Sequence, residues 1–101
     1  MGRIKSDAER RSETIRLAQA LAQASREEEG CLGCRLYQDT EAENDFVFVE
    51  EWVDELALQR HFRAAHIAEF MRSVPATLIA PPDVKFHTIT STRELSETQP
   101  G

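Results

Sequence analysis

No apolar run in this chain approaches the ~18 residues that a membrane-crossing helix requires. The first residues, Met1-Gly2-Arg3-Ile4-Lys5-Ser6-Asp7, hold no apolar stretch of the kind a secretory signal needs, so the default location is the cytoplasm. Basic charge is short as well. Twelve Lys and Arg stand against eighteen Asp and Glu, a net charge of -6. Nucleic-acid binding needs a basic face for phosphate, and here the basic residues are scattered among acids, Arg10-Arg11 beside Glu9 and Glu13, and Arg26 beside Glu27-Glu28-Glu29. Cysteine is scarce too. Cys31 and Cys34 form one C-L-G-C run, and a zinc site of that type would need a second pair. A thioredoxin-type dithiol would start a helix, but this pair precedes the strand-like Arg35-Leu36-Tyr37-Gln38, so two reduced structural thiols are expected.

What remains is an ordinary globular balance, 41% hydrophobic and 30% charged over 101 residues, enough for one domain with one core. Arg3-Ile4-Lys5 reads as a short strand. Either those few residues suffice, or the true start lies upstream. Ser6-Asp7-Ala8-Glu9 fits a capping box with Ser6 as N-cap. The helix to about Arg26 carries Ile15, Ala18, Leu21, Ala22 and Ser25 on one stripe, which suits close packing on a sheet. Gly30 ends the turn in a left-handed conformation. Cys31 to Gln38 is a second strand, residues 39–45 a long polar connector, and Phe46 to Trp52 a third strand. Asp54 caps the next helix. Leu58, Phe62 and Ala65 share one face, while His66, Phe70 and Val74 share another, so the helix breaks near Ala64-Ala65. Ala80-Pro81-Pro82-Asp83 is a rigid turn, Val84 to Ile89 a last strand, and residues 90–101 a polar tail, loose or laid on a partner.

Strand, helix, strand, strand, broken helix, strand is the split βαβ order of the ferredoxin-like fold. It predicts an α+β domain over residues 2–89, with an antiparallel four-stranded sheet and helices on one face. The third strand is apolar on both faces. Phe46 and Phe48, followed by Glu50 and Trp52, point one way; Val47, Val49 and Val53 point the other. Helices from so short a chain cover one side only. The other side calls for the same sheet of a second subunit, hence a homodimer.

With that order in place, the chain resembles the antibiotic biosynthesis monooxygenase (ABM) domain family from about Gly2 to Ile89. The resemblance rests on Glu29-Gly30-Cys31, on Phe46-Val47-Phe48-Val49-Glu50-Glu51-Trp52-Val53-Asp54, on Ala57-Leu58 with His61, on His66 with Phe70, and on Pro81-Pro82. These are similar to the family pattern E-P-G-C, F-x-x-x-E-x-W-x-D, A-L-x-x-H, H-x-x-x-F and a proline before the last strand. Glu28-Glu29-Gly30 departs from the usual acid-Pro-Gly. The resemblance implies a dimeric α/β barrel of two ferredoxin-like subunits. It also implies oxidation of a small phenolic or quinol-like aromatic by O2, with no metal, flavin or other cofactor. Haem-degrading relatives ligate iron through a histidine on the second helical segment, where this chain has Met71.

For such chemistry the substrate supplies the electrons once deprotonated, so the pocket must favour its anion and exclude water. Trp52 would supply an aromatic wall and an N–H donor, and His61 or His66 would take a proton or bond an oxyanion. Phe48, Glu50, Phe62 and Phe70 would line the substrate. Each has a bland alternative. Trp52 could anchor the core, His61 lie on the surface, His66 cap the second helical segment, and Glu50 form a structural pair with Arg35 or a backbone donor. His87 reads as surface or interface. His61 and His66 are five apart, about 140° around a continuous helix, unlike the i, i+4 pair of a zinc site. With no further ligands evident, no metal is expected, although a break between them could bring them together. The leading expectation is therefore a monooxygenase. Isomerase or degradative chemistry on a small oxygenated metabolite, and a non-catalytic ligand-binding module, remain open beside it.

Overall fold

The computed structural model describes residues 1–95; the expectation for the end of the tail, residues 96–101, lies outside the described residues. Strand β1 (Gly2–Lys5) leads through a 3-10 turn (Ala8–Arg10) into helix α1 (Arg11–Arg26). Strands β2 (Cys31–Asp39) and β3 (Ala42–Trp52) follow, then helices α2 (Glu55–Phe62) and α3 (Ala65–Ser73), a 3-10 turn (Val74–Thr77) and strand β4 (Asp83–Val84). The sheet order is β2-β3-β1-β4 with antiparallel neighbours, the ferredoxin-like arrangement. Four residues suffice for β1 to hold an inner position, with Gly2 opposite Phe48 on one side and Val84 on the other. No helix among the described residues is long and apolar enough to cross a membrane.

The core lies between one sheet face and the helices. Ile4, Phe46, Phe48 and Cys34 come from the strands, Ala18, Leu21 and Ala22 from α1, and Phe70 and Val74 from α3 and the turn after it. Phe48 and Phe70 meet edge to face at 5.7 Å. The small residues of α1 let that helix sit close on β2 and α3.

Several local expectations are corrected. Ser6 is not an N-cap. It remains strand-like, bridging Leu78, and its N–H donates to Asn44 O. Its hydroxyl is buried against Thr14 Oγ1 at 2.7 Å, and Asp7 caps the following turn instead, accepting from Glu9 N–H. The long connector is a tight hairpin. Asp39 Oδ1 accepts from Glu41 N–H at 2.8 Å, and β3 begins at Ala42. Its polar start is tolerated because the partners are polar: Arg11 holds Asn44 and Glu43, and Lys5 holds Asp45. The last strand is shorter than expected. After Val84 one further backbone pair forms, Lys85 N–H to Met1 O, and residues 86–89 lie outside any strand.

In α2 the buried residues are Ala57 and His61, rather than Leu58 and Phe62 on the face they share. Two contacts set this phase. Asp54 accepts from Ala57 N–H at 2.8 Å, and Gly30 presents no Cβ, so Ala57 docks directly against it. Gly30 has φ +86°, as its place after α1 predicts. The break falls where expected, with α2 ending at Phe62 and α3 beginning at Ala65.

Candidate active site

Beneath the end of β3, four elements converge. Glu28 lies in the turn between α1 and β2, fixed by bonds from its N–H to Ser25 O and from Cys31 N–H to its own carbonyl. Glu50 and Trp52 project from β3 on the face that carries Phe46 and Phe48. His61 comes from α2 and His66 from the first turn of α3.

The side chains form one continuous chain. Trp52 Nε1–H donates to Glu50 Oε1 at 3.2 Å, and the same oxygen faces His61 Nε2 at 3.3 Å. His61 Nδ1 bonds Glu28 Oε2 at 2.6 Å, and His66 Nε2 bonds that same oxygen at 2.7 Å. The tryptophan ring packs on His61 with centroids 4.4 Å apart. The His61 side chain is 3% exposed, Glu28 16%, Glu50 21% and His66 28%, so the chain is most closed at His61 and most open at His66.

Donor counting defines what this cluster can do. A carboxylate only accepts, so both histidines direct an N–H at Glu28. His66 then directs Nε2–H at Glu28, and its Nδ1 has no hydrogen-bond partner among the described residues. His61 is different, because a carboxylate faces each of its nitrogens. Donation to both requires the doubly protonated ring.

Glu50 therefore takes its partners from Trp52 and His61, and the exposed Arg35 is not one of them. His61 is not a surface residue, and His66 does not cap α3, whose N-cap Ala64 has no side-chain cap. Phe48 and Phe70 are buried on each other in the core. Phe62 is half exposed and packs edge-on to Phe86 at 5.0 Å, extending an aromatic row outward from Trp52 and His61. His87 is exposed. A small apolar depression of about 120 Å³ opens beside His66, between α1 and α3 and against Leu17, Leu21 and Phe70. A wider one of about 230 Å³ is lined by Arg3, Tyr37 and Val47, away from the histidines.

The expectation that no metal-ligand set exists also changes. The break after Phe62 brings the two imidazoles to 6.1 Å between centroids, and Glu28 adds a third ligand atom. Sequence reasoning missed Glu28 because it sits in an acidic run that reads as a solvated helix end. The one available signal was its place two residues before Gly30, where the family's acid-Pro-Gly carries the acid.

The cysteines stand apart from this chemistry. Both are free, and burial pushes the Cys34 thiol up to about 12, with the nearby Glu50 charge adding to the effect. Burial also raises Cys31. Both stay protonated at neutral pH, unlike the thiolate of a redox dithiol.

A ferredoxin-like sheet carrying a partly buried carboxylate–histidine chain under its one tryptophan defines a small α+β domain. The chain belongs to the antibiotic biosynthesis monooxygenase family, whose model matches residues 1–73. It is 41% identical to YcnE of Bacillus subtilis, named a candidate monooxygenase, over 80% of this chain and 85% of that protein. It is 34% identical to the uncharacterized protein sll1783 of Synechocystis sp. over 93% of this chain, but spans only 64% of that protein's length. Among solved structures, one named an antibiotic biosynthesis monooxygenase superposes with a TM-score of 0.78 at 25% identity, covering 87% of this chain and 94% of that one.

Proposed function

We propose that this protein is a cofactor-independent monooxygenase that oxidises a small phenolic or quinol-like aromatic with O2. The observation that carries the reading is the Glu28–His66 pair. It holds an imidazole of a partly exposed histidine through Nε2 and leaves Nδ1 without a partner among the described residues, as a carboxylate does for a catalytic histidine base. His66 Nδ1 takes the phenolic proton, and Glu28 stabilises the imidazolium that results. The deprotonated ring then gives up electrons to O2. In the overall change from phenol to quinone, the phenolic C–OH and one ring C–H each become C=O, one atom of O2 becomes the new carbonyl oxygen, the other leaves as water with the two hydrogens lost, and the substrate supplies all four electrons. His61 between Glu50 and Glu28 holds the base in place. Trp52 has already committed its N–H to Glu50, so its role is an apolar wall continued by Phe62 and Phe86.

The depression beside His66, about 120 Å³, is smaller than the roughly 150 Å³ that encloses one benzene ring. We assign a second copy to the sheet face that carries Tyr37, Val47 and Val49, on the side away from the helices, with the exposed Phe86 and Ile89 of the C-terminal arm laid against the partner. The reduced thiols suit a cytoplasmic location.

The test is oxygen uptake across a panel of phenols and quinols, with and without chelator. Chelator-insensitive uptake that falls by about 10²–10⁴-fold in His66→Ala is expected, the usual range for losing a general base. A folded dimer that turns over none of the panel, or that turns over without oxygen, refutes the oxidation.

A further inference from the structure

The atoms that hold a proton between Glu28 and two imidazoles have a second use. Glu28 Oε2, His61 Nδ1 and His66 Nε2 lie within 4.8 Å of one another and come from three separate elements. We propose that these three residues form a two-histidine, one-carboxylate site for a first-row divalent cation of the Zn²⁺ class.

The ligand chemistry selects the ion. Imidazole with carboxylate suits zinc, cobalt and iron(II), whereas calcium and magnesium want all-oxygen sites. The spacing is close to what is needed. Bonds of about 2.0–2.2 Å place tetrahedral ligand atoms roughly 3.4 Å apart. Glu28 Oε2 now stands 2.6 and 2.7 Å from the two nitrogens, so its carboxylate retreats by under about 1 Å as the ion replaces the protons. Glu28 sits in a turn, where a side-chain rotation is enough.

An independent observation lies one step further out. Ligating histidines donate their second N–H to a carboxylate, which fixes the ring and raises its basicity. His61 Nε2 faces Glu50 Oε1 at 3.3 Å, and Trp52 Nε1–H orients that same oxygen. With a cation on Nδ1, a neutral His61 has one N–H left, and Glu50 is there to receive it. The donor shortage at His61 disappears. The charges balance as well, since one dication meets the two partly buried carboxylates Glu28 and Glu50. His66, the most exposed ligand, leaves the fourth position open to water on the solvent side.

The proposal does not depend on the oxidation argued above. A cation on His66 Nε2 and a proton there exclude each other, so the two readings describe alternative states of one cluster.

The test is equilibrium dialysis of the full chain with Zn²⁺ and, separately, optical titration with Co²⁺. A saturable 1:1 site with a tetrahedral Co²⁺ spectrum is expected. His66→Ala and Glu28→Gln should each weaken binding at least a hundredfold. Glu50→Gln should weaken it about 10–100-fold through the ring it orients. His87→Ala, an exposed histidine outside the cluster, should change nothing. Circular dichroism establishes that each variant is folded, and His66→Ala, at a partly exposed position, is the least disruptive. The proposal fails if neither ion binds at 1:1, or if folded His66→Ala and Glu28→Gln bind as tightly as the wild type. Because the readout is metal content, neither result bears on oxygen uptake.

Discussion

Gly30→Ala is the substitution that most directly probes how the site is assembled. Gly30 has φ +86°, where an ordinary residue pays about 1–2 kcal/mol. Space is a second obstacle. A Cβ there would lie 2.5 Å from Ala57 Cβ and 3.0 Å from Val53 Cγ1, so the start of α2 must move. Overpacking of this kind costs about 1–3 kcal/mol, which brings the expected loss to roughly 2–5 kcal/mol. That is a large share of the 5–15 kcal/mol typical of a domain. The damage reaches the site, because Glu28 lies two residues before Gly30 and His61 one helical turn after Ala57. Urea unfolding of Gly30→Ala, Ala57→Gly and the double variant separates the two costs. Ala57→Gly alone should cost about 1 kcal/mol for glycine in a helix. The double variant should recover the steric part, a coupling of about 1–3 kcal/mol, and leave the backbone strain. A loss below about 0.5 kcal/mol in Gly30→Ala, or strict additivity in the double variant, would refute the close approach.

Two further outcomes follow from buried polar groups. Thr14→Val keeps the shape but removes a hydroxyl bonded to Ser6 Oγ at 2.7 Å and Thr77 Oγ1 at 2.8 Å; it should cost about 1–3 kcal/mol, and an unchanged urea midpoint would show the network to be dispensable. Cys34 has its thiol raised from 9.0 to about 12, so the stability it protects is fully present below pH 9 and is lost as the pH rises toward 12. Between pH 8 and 10.5 the wild type should lose roughly 2 kcal/mol more than Cys34→Ala, and parallel losses would mean the thiol is not desolvated.

Where the code was local, it was legible. Asp54 as N-cap, Gly30 in the left-handed region and the break before Ala65 each depend on a few adjacent residues, and each stands where those residues place it. The expectations that failed had a competing partner from afar. Ser6 has the chemistry of a cap, but Thr14 and Thr77 claim its hydroxyl inside the core. Asp45 and Asn44 look like turn residues, yet Lys5 and Arg11 hold them in a strand. In α2, Leu58 and Phe62 share an apolar face, yet neither is buried. The contact of Ala57 with Gly30 rotates the helix so that a histidine is buried instead.

The sequence by itself determined the order of elements, the split βαβ topology and the convergence of Trp52 with Glu50 on one strand face. Those follow from periods of two and 3.6 residues and from caps, which act within a turn or two. The Glu28–His61–His66 cluster was decided by tertiary structure alone. Glu28 meets His61 across 33 residues and His66 across 38, through a turn, a glycine contact and a helix break acting together. No local pattern separates that glutamate from Glu27 and Glu29 beside it. Only the packing of α2 and α3 over the end of the sheet selects it, because one carboxylate can satisfy two imidazoles only where both helices bring them to it.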